Sequence, residues 1–436
     1  MNALASVLAK AATTLVAFVC GILTVRVITG GAGEASYALF GALTALPSLL
    51  TFSDLGAGAA LVGSVAASDD PRRDAHVRDQ LTSVERILCA FAAAVLIAGI
   101  VMRATGGWRV LLGSAGAVPG AEDAALLCCA LYAATVPLGV WTRLLLGARR
   151  NHIVILVQGL VSPLTLLLVW GWTQLHGDAA FLAVGSFVAA LTAGAVGLTV
   201  TTLTLRPLVG SALRRVPRPR RHPGARVMHI GWPMLAQLVS PPLAMAAQRY
   251  AVAQHDSVTR LAEYNAAAQV FFALIGLISA AGVALWPLWA RARARGELRR
   301  GPGLLAAAFG AGAAVASLCV ALIGPWLFGF ATHGVFEVSL ATILAFGAMA
   351  TCQAVLYPLG MFLMDPAGIR FQVLPTLLMA GLSLVGALLL APALGAAGPP
   401  LANAAAVLVC QIVPYAISIR RHRDRLLPTT ANGDDR

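Results

Sequence analysis

At 436 residues, 59% of them hydrophobic and only 11% charged, with a mean hydropathy of +0.82, the chain is too apolar to be the surface and core of a soluble domain. Its formal net charge of +13 would suit a nucleic-acid ligand in a soluble protein. Here the basic residues sit in short connections between apolar segments, where membrane topology and anionic lipid headgroups account for them, so no nucleic-acid partner is expected.

A bilayer core about 30 Å thick needs about 20 mostly apolar residues of helix. Segments of that kind lie near 8–29, 35–66, 84–103, 122–146, 153–174, 179–205, 227–252, 261–290, 303–330, 335–363, 371–392 and 396–419, which makes twelve spans. The first has only Lys10 as a basic flank and no small-residue cleavage site, so it reads as a retained span rather than a signal peptide. The second and eighth are longer than a bilayer requires, which implies tilt, a kink or extension into water.

With the N-terminus placed in the cytoplasm, the inward connections hold Arg72, Arg73 and Arg78, then Arg149 and Arg150, the arginines from Arg206 to Arg226 and from Arg291 to Arg300, Arg370, and those from Arg420 to Arg436. The outward connections hold only Arg103, Arg109 and Arg260. The positive-inside rule then puts both termini in the cytoplasm of a multi-pass protein in a bacterial plasma membrane. The seven cysteines all fall inside spans without a CxxC pair, which argues against a disulfide framework and against a metal site.

The most basic connection, at 206–226, separates six spans from six. The chain therefore reads as an all-α polytopic membrane protein of about twelve transmembrane helices in two six-helix bundles, a parallel pseudo-repeat around a central cavity. The bundles are expected at 1–205 and 227–420, with a cytoplasmic basic linker at 206–226 and a cytoplasmic tail at 421–436. Weak repetition supports this: Arg26 precedes Tyr37 by eleven residues and Arg249 precedes Tyr264 by fifteen. "GARRNHIVILVQ" and "AGIRFQVLPT" open spans five and eleven, each followed by a short Gly-containing outward turn, "HGDAA" or "LGAAG".

Ionisable groups inside a membrane usually face a bundle interior or a water-filled cavity. The candidates are Arg26, Asp54, Arg143, Arg249, Glu263 and Glu337, of which Arg143 and Glu337 lie near span ends and suit snorkelling. Arg26 and Arg249 occupy corresponding places in the two halves. Two guanidiniums converging on a cavity match a diphosphate bidentately, and outward snorkelling is the alternative. Asp54 could pair with a cavity arginine, carry a coupling proton, or cap a broken helix ahead of Gly56 and Gly58. Tyr37, Tyr264, Asn265 and Gln269 are polar candidates for a sugar path, and interhelical hydrogen bonding explains such residues equally well. Pro233, Pro241 and Pro242 make span seven the candidate bending gate.

Enzyme signatures are missing: no HExxH, CxxC or P-loop occurs, and the longest outward connection, about 104–121, is too short for a catalytic domain. The chain is read as a transporter rather than an enzyme. A membrane-embedded glycan polymerase or transferase is the competing class.

"TVRVITGGAGEASYALFGALTALPSLLTFSDLGAGAAL" (24–61), "EYNAAAQVFFALIGLISAAGVALWPLWARARARGE" (263–297), "DPAGIRFQ" (365–372) and "LGAAGPPLANAAAVL" (394–408) together resemble polysaccharide translocases. These form the oligosaccharide-lipid flippase branch of the multidrug/oligosaccharidyl-lipid/polysaccharide (MOP) exporter superfamily. The resemblance implies alternating access and a polyprenyl-diphosphate-linked oligosaccharide moved from the inner to the outer leaflet. It implies no cofactor beyond a coupling H+ or Na+, and a glycan polymerase and glycosyltransferases as working partners. It also places Arg26 at the family's first-span arginine. Multidrug or organic-ion antiport and lipid II flipping are the alternatives within the superfamily.

Overall fold

The computed structural model describes residues 2–49, 57–68, 70–148, 150–222, 224–225, 244–245, 247–254, 257–283, 285, 289, 292 and 301–422. Regular structure among them is entirely helical, with no strand. Nine helical runs among these residues are long and apolar enough to cross a bilayer. Two of the nine, Ala12–Ser48 and Ala367–Arg421, each hold a pair of the spans read from the sequence, and the span expected at 227–252 lies largely outside the described residues. Leu322 and Leu389 are 74% and 69% exposed, a surface that water penalises and lipid does not.

The chain divides into two compact units, the first Met1–Ala246 with Ala331–Val335, the second Ala247–Phe330 with Phe336–Arg436. The first unit contains α1 (Asn2–Thr44), α2 (Leu46–Leu49), α3 (Ala57–Ala67), α4 (Ala75–Thr105), α5 (Gly107–Leu112), α6 (Ala121–Leu138), α7 (Val140–Gly147), α8 (Asn151–Gly159), α9 (Val161–Gln174), α10 (Val184–Thr204) and α11 (Leu208–Leu213). Gly33, at φ 78° and ψ −179°, breaks α1 into two arms; that backbone conformation is one that L side chains rarely adopt. Pro163 has no N–H to give the carbonyl of Gly159, and the helix resets there between α8 and α9.

Two apolar clusters hold this unit together. One joins Leu61 and Val65 of α3 to Leu81, Val84 and Leu88 of α4, Val140 and Leu144 of α7, and Leu208 of α11. The other sets Trp141 and Leu145 of α7 against Val154 and Val157 of α8 and Ala193 of α10. Glycines set the closest approaches: a Cβ on Gly147 would lie 2.7 Å from Val65 Cβ, and one on Gly197 would run into the indole of Trp141.

Asp74 caps α4, its Oδ1 accepting from the amides of His76 (2.8 Å) and Val77 (3.4 Å) and its Oδ2 from the Ser68 hydroxyl (2.7 Å). The Ser68 hydrogen bond is the largest cause holding this carboxyl below the usual aspartate value. A folded-state pKa below the unfolded one gives stability that is complete above the unfolded value and lost as pH falls through the folded value. Asp74→Ala should therefore speed amide exchange in the first turns of α4 relative to wild type at neutral pH, and that difference should vanish below about pH 3. A difference that persists in acid would remove the carboxylate from the cap.

The second unit contains α12 (Val258–Val283), α13 (Gly303–Thr332, whose last residues fall in the first unit), α14 (Leu340–Phe362), α15 (Pro366–Leu394), α16 (Gly398–Val407) and α17 (Val413–Arg421), preceded by a helical stretch at 247–254. Gly395, at φ 57°, and a short 3-10 turn separate α15 from α16. A π-turn over Leu408–Ile412 lies between α16 and α17, where Pro414 leaves the Cys410 carbonyl without its usual donor. Inside α14, Gly347 lets Ser317 of α13 approach, since a Cβ there would lie 3.0 Å from Ser317 Cβ.

Candidate functional site

In the second unit the stretch 247–254 carries Gln248, Arg249 and Tyr250, and α12 carries Tyr264, Asn265, Gln269 and Phe272. The Tyr264 hydroxyl donates to Gln248 Oε1 at 3.1 Å, and both side chains are fully buried at 0% exposure. The ring of Tyr264 leans on Phe346 of α14 (centroids 5.1 Å), which also contacts Phe271 and Phe272. The guanidinium of Arg249 lies 5.7 Å from the centre of the Phe272 ring, a cation–π distance. An aromatic group and a buried hydrogen bond thus fix both helices beside Arg249.

Asn265, Gln269 and Phe272 are spaced i, i+4 and i+7, so they share one stripe of α12. Arg249 sits at the Phe272 end of that stripe. Asn265 is buried and Gln269 half-buried. A cation beside two amides on a rigid helix can hold an anionic headgroup and the hydroxyls of an attached sugar.

Of the residues read from the first half, Arg26 lies half-buried on the first arm of α1 and Tyr37 is buried on the second, past the Gly33 break. Arg26 and Arg249 fall one in each unit. Asp54, Pro233, Pro241 and Pro242 lie outside the described residues.

Several other polar groups have clear structural work. Glu263 Oε1 accepts from Ser339 N (2.9 Å), Ser339 Oγ (2.7 Å) and Thr342 Oγ1 (2.6 Å), so this acid sits on the N-terminus of α14 and stabilises the helix end rather than a cavity. Asn403 donates to Ser383 Oγ at 3.0 Å, Gln411 to Thr376 Oγ1 at 3.1 Å, and Gln372 to the carbonyls of Gly360 (3.3 Å) and Leu363 (3.1 Å). These are interhelical hydrogen bonds of the kind that join membrane helices. Arg143 and Glu337 are exposed near span ends.

Sequence reasoning missed Gln248 and the aromatic mount of Arg249, although Phe272 at i+7 from Asn265 carried the signal. It also missed Glu85 on α4, 2% exposed and without a hydrogen bond or ion pair to another described residue. Its place one residue inside a span edge made it look like a flank, yet Arg78, Thr82 and Glu85 fall at i, i+4 and i+7 on one face. Among the described residues no group of three His, Cys, Asp or Glu could hold a metal ion.

A family model described as polysaccharide biosynthesis protein matches residues 1–293. No curated protein matches the chain. Among solved structures, the chain is similar to an inward-facing multidrug resistance MATE family transporter of the MOP superfamily, at 16% identity, 95% of this chain and 96% of that one, with a TM-score of 0.67. It is also similar to the lipid II flippase MurJ in an inward closed conformation, at 11% identity, covering 94% and 87%, with a TM-score of 0.66. A third, a MOP superfamily transporter from Pyrococcus furiosus Vc1 (DSM3638) described as having reversed binding-pocket polarity, matches at 15% identity, 97% and 96% coverage and a TM-score of 0.53. At these identities the likeness is one of fold, and it agrees with the superfamily that the sequence motifs resemble.

Proposed function

Because the chain belongs to the polysaccharide biosynthesis protein family, we propose that it is a flippase that carries a polyprenyl-diphosphate-linked oligosaccharide from the inner to the outer leaflet of a bacterial plasma membrane. The observation that carries this reading is the Arg249 guanidinium set over Phe272, at one end of a stripe with Asn265 and Gln269. Arg249, and Arg26 in the other half, hold the diphosphate, while Asn265, Gln269, Tyr37 and Tyr264 border the sugar path. A cationic site favours an anionic lipid headgroup and disfavours the organic cations that a multidrug exporter takes.

Transport proceeds by alternating access of two six-helix bundles, 1–205 and 227–420, with Pro233, Pro241 and Pro242 as the flexible points of span seven and a proton or Na+ as the coupling ion. Both termini lie in the cytoplasm, where the 206–226 linker and the 421–436 tail meet the enzymes that assemble the glycan. The polymerase that receives it works on the outer side. Deleting the gene should abolish one surface glycan and accumulate its lipid-linked precursor, which mass spectrometry of extracted lipids reads directly. An intact glycan together with altered dye efflux would favour the multidrug reading instead.

A further inference from the structure

The connection after α10 is the most basic in the chain, and four ties along one side of α4 fix it. Arg86 Nε donates to the carbonyl of Val216 at 3.1 Å and Arg86 Nη2 to that of Arg215 at 2.9 Å. Arg215 Nη1 donates to Asp79 Oδ1 at 3.0 Å, and the amide of Ala225 donates to Ser83 Oγ at 2.9 Å. Turn hydrogen bonds from Arg218 N to Arg215 O (3.0 Å) and Arg221 N to Arg218 O (3.2 Å) shape the segment between. Pro217 and Pro219 stiffen it further. A strap with its backbone ordered in advance loses little entropy when a ligand arrives.

The charges on the strap are unequal in role. Arg215 is matched by Asp79. Arg214, Arg218, Arg220 and Arg221 are exposed and meet no carboxylate among the described residues. Arg218, Arg220 and Arg221, with the two prolines, line one open concavity of about 550 Å³. A second open cavity of about 580 Å³, between α4 and α6, also contains arginines, but Arg103 and Arg109 are paired there with Glu122 and Asp123. Only the strap presents uncompensated guanidiniums on a fixed backbone.

We infer that the 214–221 strap is a diphosphate-binding site that takes the headgroup of the lipid-linked substrate at the inner leaflet before it reaches Arg26 and Arg249. The inference rests on the flippase reading and on the inward placement of this connection. Three guanidiniums around one opening match a diphosphate, which has at least two negative charges and several acceptor oxygens, better than the single charge of a phospholipid phosphodiester. The position beside the first turns of α4, where that helix leaves the bilayer, suits a headgroup still anchored by its lipid.

The test uses the full chain in neutral detergent, with hydrogen–deuterium exchange of the peptide covering 211–225 as the readout. Inorganic pyrophosphate should slow that exchange saturably, at a concentration roughly tenfold below that needed for inorganic phosphate. The combined variant Arg218→Gln, Arg220→Gln, Arg221→Gln should lose the response while exchange across α4 stays unchanged, and the matching lysine variant should keep a weakened one. The inference is overturned if the glutamine variant is still protected by pyrophosphate, if phosphate and pyrophosphate act alike, or if only phosphatidylglycerol vesicles protect the strap. Binding is read without transport, so the two readings fail separately. Pyrophosphate protection in a chain that flips nothing would contradict the flippase and keep the site, whereas unchanged flipping in the glutamine variant would remove the strap from the pathway.

Discussion

Arg249→Ala is expected to lower flipping by roughly thirtyfold, the equivalent of about 2 kcal/mol for hydrogen bonds between a cation and a phosphate. Arg26→Ala should act in the same direction. Both proteins should still insert and fold, because what Arg249 contributes locally is a cation–π contact, worth about 0.5–1 kcal/mol at a partly exposed site. Lysine at either position should restore less than its charge suggests, since an ammonium lacks the planar fork that grips two phosphate oxygens. Arginines that merely snorkel would give another pattern: lysine reaches the headgroups equally well, so both lysine variants would be silent. Flipping rates at matched expression separate the cases, and full activity in both alanine variants would remove these residues from the substrate path.

Gly197→Val should destabilise the first unit by about 3 kcal/mol, near the upper end of overpacking penalties. The reason is rigid geometry. A Cβ at this position meets the Cδ2, Cε2 and Cε3 atoms of Trp141, a ring that is 3% exposed and enclosed by Leu145, Val154, Val157 and Ala193. The indole cannot swing aside without displacing α8, so α10 must lift off α7. Lower yield and a reduced thermal midpoint in detergent are the expected readouts. Trp141→Leu in the same chain should recover part of the loss, because the two positions share one contact and their effects do not add. Additive losses would place the strain elsewhere.

Much of the architecture was legible because each span needs its own run of apolar residues, and that requirement is local. The breaks within the merged helical runs were legible too: the Gly-rich stretch before Tyr37 holds Gly33, and "LGAAG" holds Gly395, both at positive φ. The "HGDAA" turn likewise begins at His176, another positive-φ residue.

Side-chain roles were less legible, since they depend on partners far along the chain. Glu263 looked like a cavity acid until Ser339 and Thr342, some 76 and 79 positions away, were found donating to it. Nothing local announces that Tyr264 finds Gln248 across the connection between two helices. Glu85 was passed over because burial at a span edge depends on what packs there, here the helices α3, α6 and α11. The match of Arg249 and Tyr264 to Arg26 and Tyr37 suggested a functional pair, but the mount that positions Arg249 is aromatic and came from a residue type that reads as plain core.

The most direct measurement reconstitutes the purified chain into vesicles whose lipid-linked oligosaccharide carries a polyprenyl diphosphate, and follows how fast the glycan becomes accessible to an impermeant glycosidase on the far side. The flippase account predicts protein-dependent appearance of the glycan, lost in the Arg26→Ala, Arg249→Ala double variant, and no uptake of an organic cation by the same vesicles. Cation transport with no movement of the glycan would contradict it.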